Sequence, residues 1–297
     1  MKAPSRGFRY MAAGAFFFAL MSLMVKVVGT RLPTMEVVLA RSVVTLVLSL
    51  ALIRHLGVSP WGKRRRLLFT RGALGFVALS SFYYAVIHLP LADATVIQYT
   101  NPVFTALLAA LFLSERMGGR EVAFALAGLG GVLVMARPTL LFGGEAPALP
   151  ALPVAVAMTG ALFSAAAYTT VRALGRTETP AVVVFWFSMV SVVAAFPLAL
   201  RGFVLPRGWE WGLLLGIGVA TQLGQLLLTM GLREERAGPA TAVAYLQIVF
   251  AAGLGFLFLA EVPDRWTGMG AVVIVLATWG LYRRGVIPEP GVASGGK

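Results

Sequence analysis

The sequence predicts an all-α membrane protein of ten transmembrane helices, arranged as two five-helix halves of opposite orientation. Three observations carry that prediction: recurrent apolar runs of about 20 residues, a one-sided distribution of basic residues, and self-similarity at one constant offset. Of the 297 residues, 59% are hydrophobic and only 12% charged, too little polar surface to cover a soluble globule.

Each apolar run suffices to cross a hydrocarbon core about 30 Å thick. With charges and Pro or Gly clusters as boundaries, spans fall near residues 10–29, 34–53, 67–88, 92–113 and 120–137. A second set falls near 153–174, 180–200, 209–232, 238–260 and 265–283. The Pro- and Gly-rich segment 138–150 separates a first half, 1–137, from a second, 151–284, and 285–297 reads as a flexible tail. The start, with Lys2, Arg6 and Arg9 before an apolar run from Tyr10 to Val28, imitates a signal peptide. Its length, the lack of a cleavage site and the return of the pattern near Pro153 make it the first helix instead.

A formal charge of +13 would suit nucleic acid, yet the basic residues sit in short segments between apolar runs, not in a stripe. A cytoplasmic N-terminus leaves only Arg31, Arg137, Arg201, Arg207 and Arg265 outside, and Lys26 and Arg41 within spans. All other Lys and Arg residues, including the run Lys63 to Arg66, then lie in cytoplasmic segments, and the C-terminus is cytoplasmic too. A bacterial inner membrane is the expected location. The chain has no cysteine, which excludes disulfides and thiolate chemistry.

Sliding the sequence against itself by 146 residues pairs Gly14 with Gly160, Phe17 with Phe163, Lys26 with Arg172 and Gly29 with Gly175. Ala94, Thr95, Tyr99, Val103, Phe104, Phe112, Leu113 and Glu115 meet Ala240, Thr241, Tyr245, Val249, Phe250, Phe258, Leu259 and Glu261. Arg137 likewise meets Arg283. Because five is odd, the second copy enters the membrane in the opposite sense, the inverted arrangement of many secondary transporters.

The stretch from Ala92 through Asn101, Pro102, Val103 and Phe104 to Leu113, Ser114 and Glu115, with Arg41 and the run Tyr83, Tyr84, Ala85, resembles the EamA-type drug/metabolite transporter superfamily. The resemblance covers nearly the whole chain. It implies ten helices in two inverted repeats and a solute path lined by helices 1, 3, 4, 6, 8 and 9. The second half departs from the pattern where Gln247 and Ile248 stand against Asn101 and Pro102, and Phe187 against Arg41.

Polar groups at membrane depth cost free energy unless they face protein, water or solute. Helix 4 carries Thr95, Gln98, Asn101 and Thr105 at helical spacing beside Tyr99, with a kink expected at Pro102. Helix 9 answers with Thr241, Tyr245 and Gln247. Gln222, Gln225 and Thr229 share a face of helix 8, Ser80, Tyr83 and Tyr84 lie on helix 3, Ser164, Tyr168 and Thr169 on helix 6, and Ser22 on helix 1. The candidate solute-binding set is Ser22, Arg41, Ser80, Tyr83, Gln98, Tyr99, Asn101, Tyr168, Gln222, Gln225, Tyr245 and Gln247. Interhelical hydrogen bonding among them is the competing reading.

Arg41, unpaired, would cost at least ~2.5 kcal/mol at membrane depth, so it needs a partner, water or an anionic solute; Glu36, five residues earlier, is poorly spaced for a same-helix pair. Lys26 reads as a boundary residue, Asp93 as a helix cap, and Glu115 and Glu261 as hairpin or interface residues. Trp61, Trp209, Trp211, Trp266 and Trp279 lie near span ends, where indole suits the headgroup region. Gly128, Gly130 and Gly131 with Gly268 and Gly270 assign helices 5 and 10 to scaffold.

No phosphate-binding loop or HExxH zinc site occurs, and His55 and His88 form no metal-like pair, so neither cofactor nor metal is expected. The expectation is a secondary transporter of a small organic metabolite, such as an amino acid or carboxylate, exporting by alternating access. Its partners are solute and membrane lipid, with a proton as candidate coupling ion, no nucleic acid, and a monomer as the working unit. A membrane-embedded enzyme or lipid-handling protein is the alternative, but no concentrated nucleophile or acid pair supports it. Gln98→Ala or Tyr245→Ala is expected to weaken transport more than folding.

Overall fold

The computed structural model describes residues 5–89, 91–136, 150–259 and 265–284. Among them helix is the regular secondary structure present, joined by short turns and loops. In the first half, α1 spans Arg6–Val28, α2 Thr34–His55, α3 Arg65–His88, α4 Leu91–Gln98, α5 Asn101–Leu113 and α6 Gly119–Ala136. In the second, α7 spans Ala151–Leu174, α8 Pro180–Ala199, α9 Gly208–Glu234, α10 Ala237–Ala242, α11 Leu246–Leu259 and α12 Arg265–Arg284. A 3-10 stretch, Val243–Tyr245, joins α10 to α11. Taking α4 with α5 and α10 with α11 gives ten helical segments, consistent with the expected count; seven stretches are long and apolar enough to cross a membrane. All of segment 138–150 but Pro150, and the residues Arg137 and Glu261, lie outside the described residues, as do the side chains of Asp93 and Thr95.

Local chemistry sets several boundaries. The Ser5 hydroxyl accepts from Phe8 N at 3.1 Å, so α1 begins four residues before its apolar run. Glu210 accepts from Arg207 N at 2.5 Å and binds Arg31 at the start of α9, where a carboxylate complements the positive helix end.

The second half runs antiparallel to the first. Arg172, at the end of α7, donates to Arg233 O at 2.7 Å at the end of α9, while a Cβ on Gly7, at the start of α1, would lie 3.1 Å from Glu234. Thus α7 ends where α1 begins. The packing obeys the same twofold: α1 lies on α9 as α3 lies on α7, and α1 lies on α11 as α5 lies on α7. Helices α6 and α12 pack on each other across the pseudo-axis. There a Cβ on Gly131 would sit 2.9 Å from Gly270 O and one on Gly270 2.6 Å from Gly131 O, so the two backbones meet directly, as expected of scaffold.

The outside of the bundle is apolar. Leu111, Phe112, Val193 and Leu257 are 77, 74, 72 and 71% exposed, a surface suited to lipid and not to water. Trp61, Trp209 and Trp211 are exposed near helix ends, as interfacial anchors should be.

Candidate functional site

A seam of polar side chains runs between the halves. The Gln98 amide donates to Ser164 Oγ at 3.0 Å, joining α4 to α7. Ser49 donates to Gln222 Oε1 at 3.0 Å, joining α2 to α9, and Thr45 Oγ1 lies 3.4 Å from Gly218 O on the same interface. Arg71 Nη2 donates to Gln225 Oε1 at 3.1 Å, joining α3 to α9. The rings of Tyr99 and Tyr245 meet at 5.9 Å. Each pair takes one residue from either half. All but the Thr45–Gly218 contact also leave a buried polar atom unpartnered among the described residues: Gln98 Oε1, Gln222 Nε2, Arg71 Nε and Nη1, and Tyr245 Oη. In an apolar bundle such atoms are costly unless a second occupant satisfies them.

The seam is placed by two interrupted spans. Helix α4 stops at Gln98, Thr100 Oγ1 donates to Ile97 O at 2.6 Å, and α5 restarts at Asn101. The expected kink at Pro102 therefore falls at Tyr99 and Thr100 instead. Pro102 occupies the first turn of α5, where a missing N–H costs nothing. The ninth span breaks at the repeat-equivalent place, through the 3-10 stretch ending at Tyr245. Both breaks lie beside the paired tyrosines.

Charge ties the halves at the end that holds Arg6. Glu115 accepts from Arg172 Nε at 2.7 Å and from Ala237 N at 3.0 Å. Glu121 binds Arg236. Glu178 accepts from Lys63 N at 2.7 Å and Arg64 N at 2.6 Å, at the start of α3. At the opposite end, Arg31 binds Glu210 and Glu36 accepts from Val204 N at 2.9 Å. Two surface hollows, one lined by Phe8, Met11, Pro239, Ala240 and Val243 and one by Arg6, Arg9 and Tyr10, contain none of the seam residues.

The EamA-like transporter family model matches twice, over residues 5–137 and 151–283. The chain belongs to this family. A pseudopaline exporter, CntI, of Pseudomonas aeruginosa is 36% identical over 91% of this chain and 93% of its own length. Human solute carrier family 35 member G1 is 29% identical over 93% of this chain and 79% of its own, and an S-adenosylmethionine uptake transporter of Rickettsia felis 28% over 89% and 90%. A solved crystal structure superposes with a TM-score of 0.83 over 95% of this chain and 99% of that one, at 19% identity, which establishes the fold. Family and relatives make the chain a membrane transporter and not an enzyme.

Within this EamA protein, not every predicted residue joins the seam. Ser22 donates to Phe18 O at 2.9 Å in its own helix. Tyr83 lies beside Phe82 at 6.1 Å, and Tyr84 stacks on His88 at 4.0 Å. Ser80 Oγ is buried without a partner among the described residues, Asn101 is buried in the first turn of α5, and Gln247 is half-buried in α11. Tyr168 on α7 lies within electrostatic reach of Arg71. Arg41 is buried, and its guanidinium meets Met21 Sδ at 3.8 Å, with Nε left without a partner among the described residues; Glu36 turns to Val204 instead.

The main omission of sequence reasoning is Arg71, assigned to a cytoplasmic segment but 2% exposed inside α3. Its guanidinium stacks 4.4 Å above the Phe187 ring. Gly75, one turn on, makes the room, since a Cβ there would come within 2.9 Å of that ring. A glycine four residues after a basic residue already inside a predicted span was the available signal. The packing of Tyr245 also corrects an expectation. It is 1% exposed and wedged where a Cβ on Gly128 would lie 2.6 Å from its ring, so Tyr245→Ala opens a cavity and disturbs folding as well as transport.

Proposed function

We propose that this chain exports a small organic solute across a bacterial inner membrane by alternating access. Its N- and C-termini are cytoplasmic, residues 1–137 and 151–284 act as the two rocking units, and a monomer is the working form. The observation that carries this reading is the seam itself: side chains paired across the halves by single hydrogen bonds, each with a buried atom left over. Bonds of that kind separate when one half turns against the other, and a solute between them completes the unmet donors and acceptors. Likeness to a pseudopaline exporter supports the outward direction. The cross-half ties at the Arg6 end serve, in this reading, as the cytoplasmic closure.

The test begins with a thermal-shift screen of purified protein against amino acids, carboxylates and nucleosides, then vesicle flux of the hits with and without a pH gradient. Gln98→Ala and Tyr245→Phe, which keep the bundle packed, are expected to lower flux about tenfold with an unchanged unfolding midpoint. Wild-type flux and solute affinity in both variants would remove the seam's centre from the solute path.

A further inference from the structure

Among the described residues, Arg71 is a buried cation with no carboxylate partner. The guanidinium remains charged in proteins and offers five N–H donors in a planar fork. One donor is used, by Gln225 Oε1, while Nε and Nη1 have no partner among the described residues. The described carboxylates that the ion pairs and hydrogen bonds engage all lie elsewhere: Glu36 on Val204, Glu115 on Arg172, Glu121 on Arg236, Glu178 on the start of α3, and Glu210 on Arg31. None of them reaches Arg71. Instead the Phe187 ring stacks on its head group, and Gly75 leaves it room, since a Cβ there would collide with Nη1. Arg172, at the rim, shows the contrast, its guanidinium bonded to one carboxylate and two carbonyls.

An unpaired buried charge destabilises a fold by far more than a packed apolar side chain of the same volume. Its presence here needs a counter-ion that comes and goes. We propose that Arg71 binds the carboxylate of an anionic organic solute, with Gln225 positioning the guanidinium and Phe187 walling one face. This rests on the transporter reading and adds the solute's charge and its anchor. A single guanidinium matches a single negative charge. A carboxylate takes two parallel N–H bonds from it, whereas a phosphate dianion would keep uncompensated charge in a seam whose other pairings are amides, hydroxyls and phenols. Arg41, the other buried arginine, lies on α2 against Met21 of α1 and belongs to a separate contact.

The experiment loads vesicles carrying the full-length protein with succinate, succinamide, N-acetylserine, N-acetylserinamide, glycerol phosphate, choline and a low-molecular-mass bacterial cell extract. Mass spectrometry follows efflux against protein-free vesicles. Carboxylates are expected to leave and their amides to stay. Arg71→Gln should reduce carboxylate efflux about ten- to hundredfold without lowering the unfolding midpoint, and Arg71→Lys should restore part of it. Protein-dependent efflux confined to amides, choline or phosphate esters overturns the assignment while leaving a transporter. So does an Arg71→Gln protein that loses stability and exports all solutes equally less. No protein-dependent efflux from the whole mixture would remove the transporter reading and this assignment together.

Discussion

The fourth and ninth spans break at equivalent places by different means. In the fourth, two residues leave the helix, a threonine hydroxyl bonds back to the preceding turn, and Pro102 restarts it. In the ninth, no proline stands at the break, and three residues tighten into a 3-10 turn. The position therefore belongs to the repeat architecture, and the local residues only supply the means. What the halves share is the tyrosine, and its environments differ: Tyr245 is buried against Gly128, while Tyr99 is half-buried.

The sharpest way to break this comparison is to truncate each tyrosine. Tyr245→Ala should cost about 3–5 kcal/mol of stability, read as a lowered thermal midpoint, because a large cavity opens at the pseudo-axis. Tyr99→Ala should cost clearly less. Equal losses would mean that the two sites are packed alike.

A second test addresses the ends of the bundle. Glu115→Gln removes the charge that binds Arg172 and leaves the α10 backbone with a weaker partner. Since the chain has no cysteine, an introduced Ala240→Cys is the sole thiol. Its labelling rate from the Arg6 end should rise about tenfold in the Glu115→Gln background. An unchanged rate would show that the carboxylate does not hold this end closed. The smallest effect belongs to Pro102→Ala. If architecture sets the break, flux should change by less than about twofold and stability by about 1 kcal/mol or less. A large loss of flux would make the proline a requirement of the first half.

Much of the fold was legible because its signals are linear. Apolar runs give spans, and the constant offset joining Gly14 to Gly160 and Tyr99 to Tyr245 gives the repeat and its inversion. Gln98, Gln222 and Gln225 were legible as polar residues at membrane depth, and each has a partner in the opposite half. The break was misplaced because a proline inside an apolar run reads as a kink, whereas helix geometry accepts it in a first turn. Arg71 was missed because only four residues separate it from the basic run ending at Arg66, which makes it look like the tail of a surface cluster. Only the packing of Gly75 and Phe187 reveals the space that holds it. Ser22 failed for a different reason: a serine hydroxyl finds its own helix's carbonyl more readily than a distant partner.

Glu115 touches two segments at once, the guanidinium on α7 and the first amide of α10. Loosening either contact leaves the other holding, so a partial turn gains nothing. In the alternating-access reading both must be surrendered before that end can open, so one carboxylate ties the movement of α7 to that of α10.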